Sequence, residues 1–223
     1  MMSKALRMPA LAVALGFLLS GCEQHSTPIP PATKAQPTFA GTIVAVGDSL
    51  TAGYGVNEAY AYPAQLEKKL QAAGFRWRVV NAGISGETSS GTLSRVAWVL
   101  KLKPDIVILE TGANDGLRGI DPQVTKKNIA DTVRILKENQ VTVILAGMRM
   151  VTSMGRDYTS EFAAIYPAVA KKLDLILIPF FLQGVAGDPA LNQGDGIHPV
   201  AEGYRIITDM IYPYVLRALA AKS

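Results

Sequence analysis

Sulfur and imidazole are scarce in this chain of 223 residues, which has one cysteine, Cys22, and two histidines, His25 and His198. A single thiol excludes an internal disulfide. With His25 in a proline-rich stretch, His198 is the only imidazole a folded core can use, and no His-x-x-x-His spacing exists. A catalytic zinc site therefore lacks ligands, and no metal is expected. No Gly-x-Gly-x-x-Gly or Gly-x-x-x-x-Gly-Lys run follows the first apolar, β-branched segment, which excludes the usual dinucleotide and phosphate cradles; no organic cofactor is expected. No Gly-x-Ser-x-Gly elbow occurs, so the ordinary α/β-hydrolase arrangement is excluded too. Charge of one sign is also missing. Lys and Arg number 22 against 18 Asp and Glu, a net +4 that falls to +2 without Lys4 and Arg7, and the charges are interspersed. Nucleic acid is not an expected partner. After residue 40 no apolar run approaches the roughly 18 residues of a membrane span.

What the N-terminus does contain is Lys4 and Arg7 ahead of an apolar run at 10–19, the length of a signal h-region. The following Leu19-Ser20-Gly21-Cys22 resembles the lipobox of bacterial lipoproteins. That resemblance implies export, cleavage before Cys22 and a diacylglyceryl group on its sulfur. Glu23, in place of Asp, implies the periplasmic face of the outer membrane. Residues 22–40, with Pro28, Pro30, Pro31 and Pro37, read as a lipidated cysteine and an extended tether. The expected organisation is a lipoprotein signal peptide at 1–21, the tether at 22–40 and one catalytic domain at 41–223, since roughly 185 residues suit a single core.

Short runs rich in Val and Ile at 42–46, 77–80, 106–109, 141–145 and 175–178 predict five strands. Amphipathic stretches near 59–73, 88–102, 122–139, 158–173 and 200–220 predict the helices between and after them. Strict alternation of this kind predicts an α/β fold, a parallel sheet with helices on both faces and a ligand site at the carboxyl ends of the strands.

Three polar runs fall at those ends: Gly47-Asp48-Ser49-Leu50 after the first strand, Gly112-Ala113-Asn114-Asp115 after the third, and Asp195-Gly196-Ile197-His198 after the fifth. Each alone is ordinary turn chemistry. Together they supply the groups of nucleophilic acyl transfer. A hydroxyl attacks at neutral pH only if a base takes its proton, and neutral imidazole suits that task. Ser49 is the expected nucleophile, His198 the base, Asp195 the carboxylate that orients it, and Asn114 with backbone N–H groups the oxyanion donors. Asp48 is read as tying the loop through hydrogen bonds, and Gly47 as permitting the turn.

Residues 41–220 resemble the SGNH, or GDSL, hydrolases, through "GDSLTAGYG", "NAGISGETSSG", "ETGANDGLRG", "GVAGDP" and "DGIHPVAEGYRII". The branch is that of thioesterase I, lysophospholipase L1 and bacterial arylesterases. The resemblance implies a flavodoxin-like three-layer α/β/α sandwich with a five-stranded parallel sheet. Mapping the family letters onto Ser49, Gly83, Asn114 and His198 implies an oxyanion hole made of the N–H groups of Ser49 and Gly83 and the amide of Asn114. It also implies an esterase acting on acyl or aryl esters, with lysophospholipids or thioesters as further substrates, from a monomer bound to the membrane through its lipid. Two alternatives stay open: a polysaccharide or cell-wall O-deacetylase, and a non-catalytic lipoprotein that binds acyl chains or an envelope partner. The segment 147–154 departs from the arylesterase-like branch, which carries prolines and an aromatic residue there. Met148, Met150 and Met154 there are expected either to form an adaptable wall of the acyl groove or to fill the core.

Overall fold

The computed structural model describes residues 38–222; the expectations for the export signal, Cys22, His25 and most of the tether lie outside the described residues. The elements in chain order are β1 (Gly41–Gly47), α1 (Ser49–Ala52), α2 (Tyr62–Ala72), β2 (Trp77–Gly83), α3 (Ser89–Ser94), α4 (Val96–Lys101), β3 (Ile106–Glu110), α5 (Ala113–Leu117), α6 (Pro122–Glu138), β4 (Thr142–Ala146), α7 (Arg156–Leu173), β5 (Ile176–Ile178) and α8 (Ala201–Ala220). Short 3-10 turns occupy Glu58–Tyr60 and Thr152–Met154.

All five strands are parallel, in the order β2-β1-β3-β4-β5. Helices α2 and α8 pack on one face, and α3, α4, α6 and α7 on the other. The three-layer α/β/α sandwich is therefore as expected. The central strands show why their sequences are continuous apolar runs rather than alternating ones: Ile43 to Val46 and Ile106 to Leu109 are buried whichever face they point to. The chain leaves β1 for β2 on one side and returns to β3 on the other, pairing Val46 with both Ala82 and Leu109. This reversal opens a crevice between the loops that leave β1 and β3, the usual ligand site in such sheets.

Element boundaries differ from the periodicity in physically clear ways. Strand β2 runs three residues past the expected end, because Asn81, Ala82 and Gly83 continue the pairing with β1. The helices α1 and α5 have four and five residues, too few for a periodic signal. The stretch expected as one helix at 88–102 is two, broken at Arg95 (φ −105°, ψ 7°). Arg95 turns its guanidinium inward. Its Nη2 donates to the Ala82 carbonyl at 2.8 Å, and Nε and Nη2 donate to the two oxygens of Glu87 at 2.6 and 2.7 Å. Both side chains are nearly buried, with 12 and 7% exposed. Losing one partner of such a pair costs about 3–5 kcal/mol, several times what an uninterrupted helix would gain at one residue.

Candidate active site

Asp48 caps α1: its Oδ1 accepts the Leu50 N–H at 3.0 Å. The cap sets Ser49 at the first helical position, directly past the carboxyl end of β1. Gly47 precedes it because a Cβ there would stand 2.2 Å from Thr51 Oγ1 and 2.5 Å from Glu110 Oε2. The sharp turn thus rests on a buried carboxyl group.

The loop after β5 begins at the far edge of the sheet and crosses back over β4, where Phe181 N–H donates to the Gly147 carbonyl at 2.8 Å. Asn192 is buried and donates to the Val185 and Asp188 carbonyls at 2.7 and 2.8 Å. Gln193 closes the tip. Its N–H donates to the His198 carbonyl at 2.7 Å, and its Nε2 reaches the Tyr54 carbonyl at 2.7 Å. The Tyr54 ring lies against the imidazole, with centroids 4.7 Å apart.

So held, His198 Nε2 stands 2.8 Å from Ser49 Oγ, and its Nδ1 stands 2.6 Å from Asp195 Oδ2. Asp195 Oδ1 accepts the N–H groups of Ile197 and His198 at 2.9 and 3.0 Å. The His198 backbone N–H, the imidazole and the Ile197 N–H hold its carboxyl well below the ordinary range. An ionised carboxylate can only accept, so Nδ1 carries the proton and Nε2 is left to accept from the serine hydroxyl. The three residues expected to act together are within hydrogen-bonding reach in the required order.

Asn114, in α5, reaches the same point from β3. Its Nδ2 donates to Asp48 Oδ2 at 3.1 Å and to the Glu87 carbonyl at 3.0 Å. Asp48 thus ties two of the loops together, the role expected of it.

Gly83 requires a correction. Its N–H donates to Asn81 Oδ1 at 3.0 Å, and a Cβ on it would lie 2.2 Å from the Ala52 backbone nitrogen. What approaches Gly83 closely is α1, not a ligand. The glycine that lines the cavity with Ser49, Asn114 and His198 is Gly86, three residues on. Its φ of +80° belongs to the left-handed region, and a Cβ there would meet nothing nearer than Arg118 Nη2 at 3.8 Å. Among the described residues, no acceptor pairs with the N–H of Ser49 or Gly86. The run Gly83-Ile84-Ser85-Gly86 holds two glycines. The Ser-Gly pair at its end is the turn signal that separates them.

A buried polar network fixes this loop. Asp115 accepts from the Ser89 N–H and hydroxyl at 2.7 and 2.5 Å and from the Thr125 hydroxyl at 3.2 Å. Thr92 bridges Glu87 Oε2 and the Thr111 hydroxyl at 3.0 and 2.9 Å. Nothing in composition or spacing marks these residues, because each partner lies on a different element.

The site opens into a cavity of about 230 Å³. Leu50, Ala113, Leu117 and Ile197 are shared with a second, mostly apolar cavity of about 200 Å³, lined further by Met148, Met150, Phe180 and Leu182. Two of the three methionines therefore form the expected wall; Met154, in the 3-10 turn, does not line it. No cluster of three or more His, Cys, Asp or Glu side chains suited to a metal ion occurs among the described residues.

Behind the nucleophile, Glu110 Oε2 accepts from the Thr51 hydroxyl at 2.9 Å and the Asp48 N–H at 3.3 Å. Burial pushes the Asp48 carboxyl up to about 6. Burial and the neighbouring Asp48 charge push Glu110 well above its ordinary range.

Known proteins resemble this chain over most of its length. The model of the GDSL-like lipase/acylhydrolase family matches residues 45–206. The chain is 36% identical to the esterase TesA of Pseudomonas aeruginosa over 88% of its own length and 96% of the relative's. It is 40% identical to thioesterase 1/protease 1/lysophospholipase L1 of Escherichia coli K12, over 76% of this chain and 81% of the relative. A crystal structure of TesA superposes with a TM-score of 0.77 at 36% identity, covering 79% of this chain and 99% of that one.

Asp48 yields a pH prediction. Between its unfolded value near 4 and about 6, the folded chain keeps a proton that the unfolded chain releases, so stability falls as pH rises through that window. From pH 4.5 to 7 the loss from this group is about 2 kcal/mol. Urea unfolding at the two pH values should show Asp48→Asn removing about that much of the decline; an unchanged decline would contradict the assignment.

Proposed function

Because the chain belongs to the GDSL-like lipase/acylhydrolase family, we propose that it is a serine esterase in which Ser49, His198 and Asp195 act as nucleophile, base and orienting carboxylate. The observation that carries this reading is the unbroken relay from Ser49 Oγ through the imidazole to Asp195, at 2.8 and 2.6 Å. His198 takes the hydroxyl proton as Oγ adds to the ester carbonyl. It then returns that proton to the leaving alkoxide, which departs as an alcohol and leaves an acyl group on Ser49. Water, deprotonated by the same imidazole, adds to the acyl carbonyl; the acyl–Oγ bond then breaks, the imidazole returns the proton to Ser49 Oγ, and the acid leaves.

The oxyanion of each tetrahedral intermediate would take the N–H groups of Ser49 and Gly86 and one N–H of Asn114. The amide of Asn114 is engaged in the resting site, so the developing charge has to compete with Asp48 or the Glu87 carbonyl for it. A full negative charge on the substrate outcompetes a neutral carbonyl, because charge-assisted bonds are about twice as strong.

The paired cavities favour an acyl chain packed along Leu50, Met148, Met150 and Phe180. Acyl esters of small alcohols or phenols, and lysophospholipids, fit that description; thioesters are chemically feasible. The family relatives support the same class, being named as an esterase and as a thioesterase and lysophospholipase. The Leu19-Ser20-Gly21-Cys22 run supports export and lipidation of Cys22, which would keep the enzyme away from cytoplasmic acyl-CoA. On this reading the protein sits in the bacterial envelope, at the periplasmic face of the outer membrane, as a monomer.

Kinetics on a water-soluble ester test the assignment. Ser49→Ala and His198→Ala should each lower turnover by about a thousandfold or more, and Asn114→Ala by roughly a hundredfold with little change in KM. Ser49→Ala protein that kept a tenth of the activity would require another nucleophile. For the anchor, the full chain expressed in a bacterium should fractionate with membranes and incorporate labelled fatty acid. Soluble, unlabelled protein would contradict lipidation of Cys22.

A further inference from the structure

Both backbone N–H groups assigned to the oxyanion, those of Ser49 and Gly86, stand within two residues of a partner of one guanidinium. Arg95 Nη2 donates to the Ala82 carbonyl at 2.8 Å and, more weakly, to the Gly47 carbonyl at 3.5 Å, so it joins the outgoing ends of β2 and β1. Gly47 lies two residues before Ser49. Nε and Nη2 hold the two carboxylate oxygens of Glu87, which directly follows Gly86. The Glu87 backbone carbonyl in turn accepts Asn114 Nδ2 at 3.0 Å, one of the two bonds that set that amide. Ser49, Gly86 and Asn114 come from the connections after three different strands, and Arg95 with Glu87 reaches all three.

Local stability does not account for this arrangement. The helix breaks at Arg95. Nη1 of the same guanidinium is buried with no hydrogen-bond partner among the described residues. Gly91, a poor helix former, stands inside α3, where a Cβ would lie 2.8 Å from Glu87 Cγ. A buried ion pair is costly to break once built, yet apolar side chains filling the same space commonly serve stability as well or better. What the guanidinium offers instead is geometry. Its planar fork fixes distance and angle together through two bonds to Glu87, and the Thr92 hydroxyl adds a third donor to Oε2 at 3.0 Å. The peptide between Gly86 and Glu87, and the carbonyl that Asn114 bonds, are left little freedom.

We propose that Arg95, acting through Glu87, is a positioning residue for ester hydrolysis: it keeps the N–H groups of Ser49 and Gly86 and the Asn114 amide converged on the point where the oxyanion develops, and touches no reacting atom. This rests on the esterase reading above. Preorganised donors act on the transition state, because the negative charge they meet appears only there. Loosening them therefore lowers kcat and leaves KM nearly unchanged. Lysine at position 95 keeps the charge but has no fork, so it cannot hold Glu87 and the Ala82 carbonyl in one fixed geometry.

Kinetics of the full chain on a water-soluble ester test this, with kcat counted per serine titrated to completion by a fluorophosphonate so that unfolded protein does not enter. Arg95→Lys should lower kcat at least about tenfold and change KM by less than about twofold. Glu87→Gln, which keeps the shape of the side chain and removes its charge, should show the same split and carries the test if Arg95→Lys does not fold. When either is combined with Asn114→Ala, the total loss should fall well short of the product of the single losses, since both changes act on one set of donors. Leu136→Ala, buried near the C-terminal end of α6, weakens the fold away from the site, and its kcat per titrated serine should match the wild type. An unchanged kcat in Arg95→Lys and Glu87→Gln, a loss carried by KM, losses that multiply with that of Asn114→Ala, or the same split in Leu136→Ala would overturn the proposal, while hydrolysis by the wild type leaves the esterase reading standing. Wild-type protein no more active than Ser49→Ala would overturn the esterase reading itself, and this proposal with it.

Discussion

One hydrogen bond joins residues 149 positions apart in the chain, from Ser49 Oγ to His198 Nε2, and much of the domain is arranged around keeping it at 2.8 Å. The serine comes from the first strand and the histidine from the loop after the last. Only a parallel sheet delivers the outgoing ends of all its strands to one edge, and only its reversal of strand order leaves a gap there. Even so, β5 lies four positions from β2 and three from β1, with β3 and β4 between β1 and β5. The loop carrying Asp195 and His198 must cover that distance, and it does so through Asn192 and Gln193, whose side-chain amides bond to backbone carbonyls along the way.

Buried polar groups do the remaining positioning. Asp48, Glu110, Glu87, Arg95 and Asp115 all lie beneath the catalytic edge, and each bonds groups from elements distant in sequence. Such groups are costly to bury and costly to orphan, which makes their geometry hard to deform. The raised carboxyl of Asp48 is a trace of that cost: it lowers stability near neutrality where the same group holds Asn114 and the first turn of α1. Stability is given up locally where the chemistry needs fixed donors and acceptors.

The legible features were those written locally. Strands β1 and β3 are short β-branched runs buried on both faces, and α6 carries Asp121 as its cap and Pro122 in its first turn, so composition and spacing suffice. Ser49, Asn114, Asp195 and His198 were legible because each falls in a connection that follows a strand. The rest depends on contacts between elements. The break at Arg95 exists because its side chain is needed under β2, and Gly83 and Gly86 differ in backbone conformation and in what packs against them. Glu110 looks like the last residue of a strand until the fold places it behind Gly47.

The proposed chemistry requires Ser49 to be the residue that becomes acylated, and a fluorophosphonate probe reads that directly. Peptide mass spectrometry of the labelled chain should find one equivalent of phosphonate, on Ser49, and almost none when His198 is replaced by alanine. Labelling that falls instead on Ser85 or Ser89, or that proceeds unchanged without His198, would contradict the relay described here.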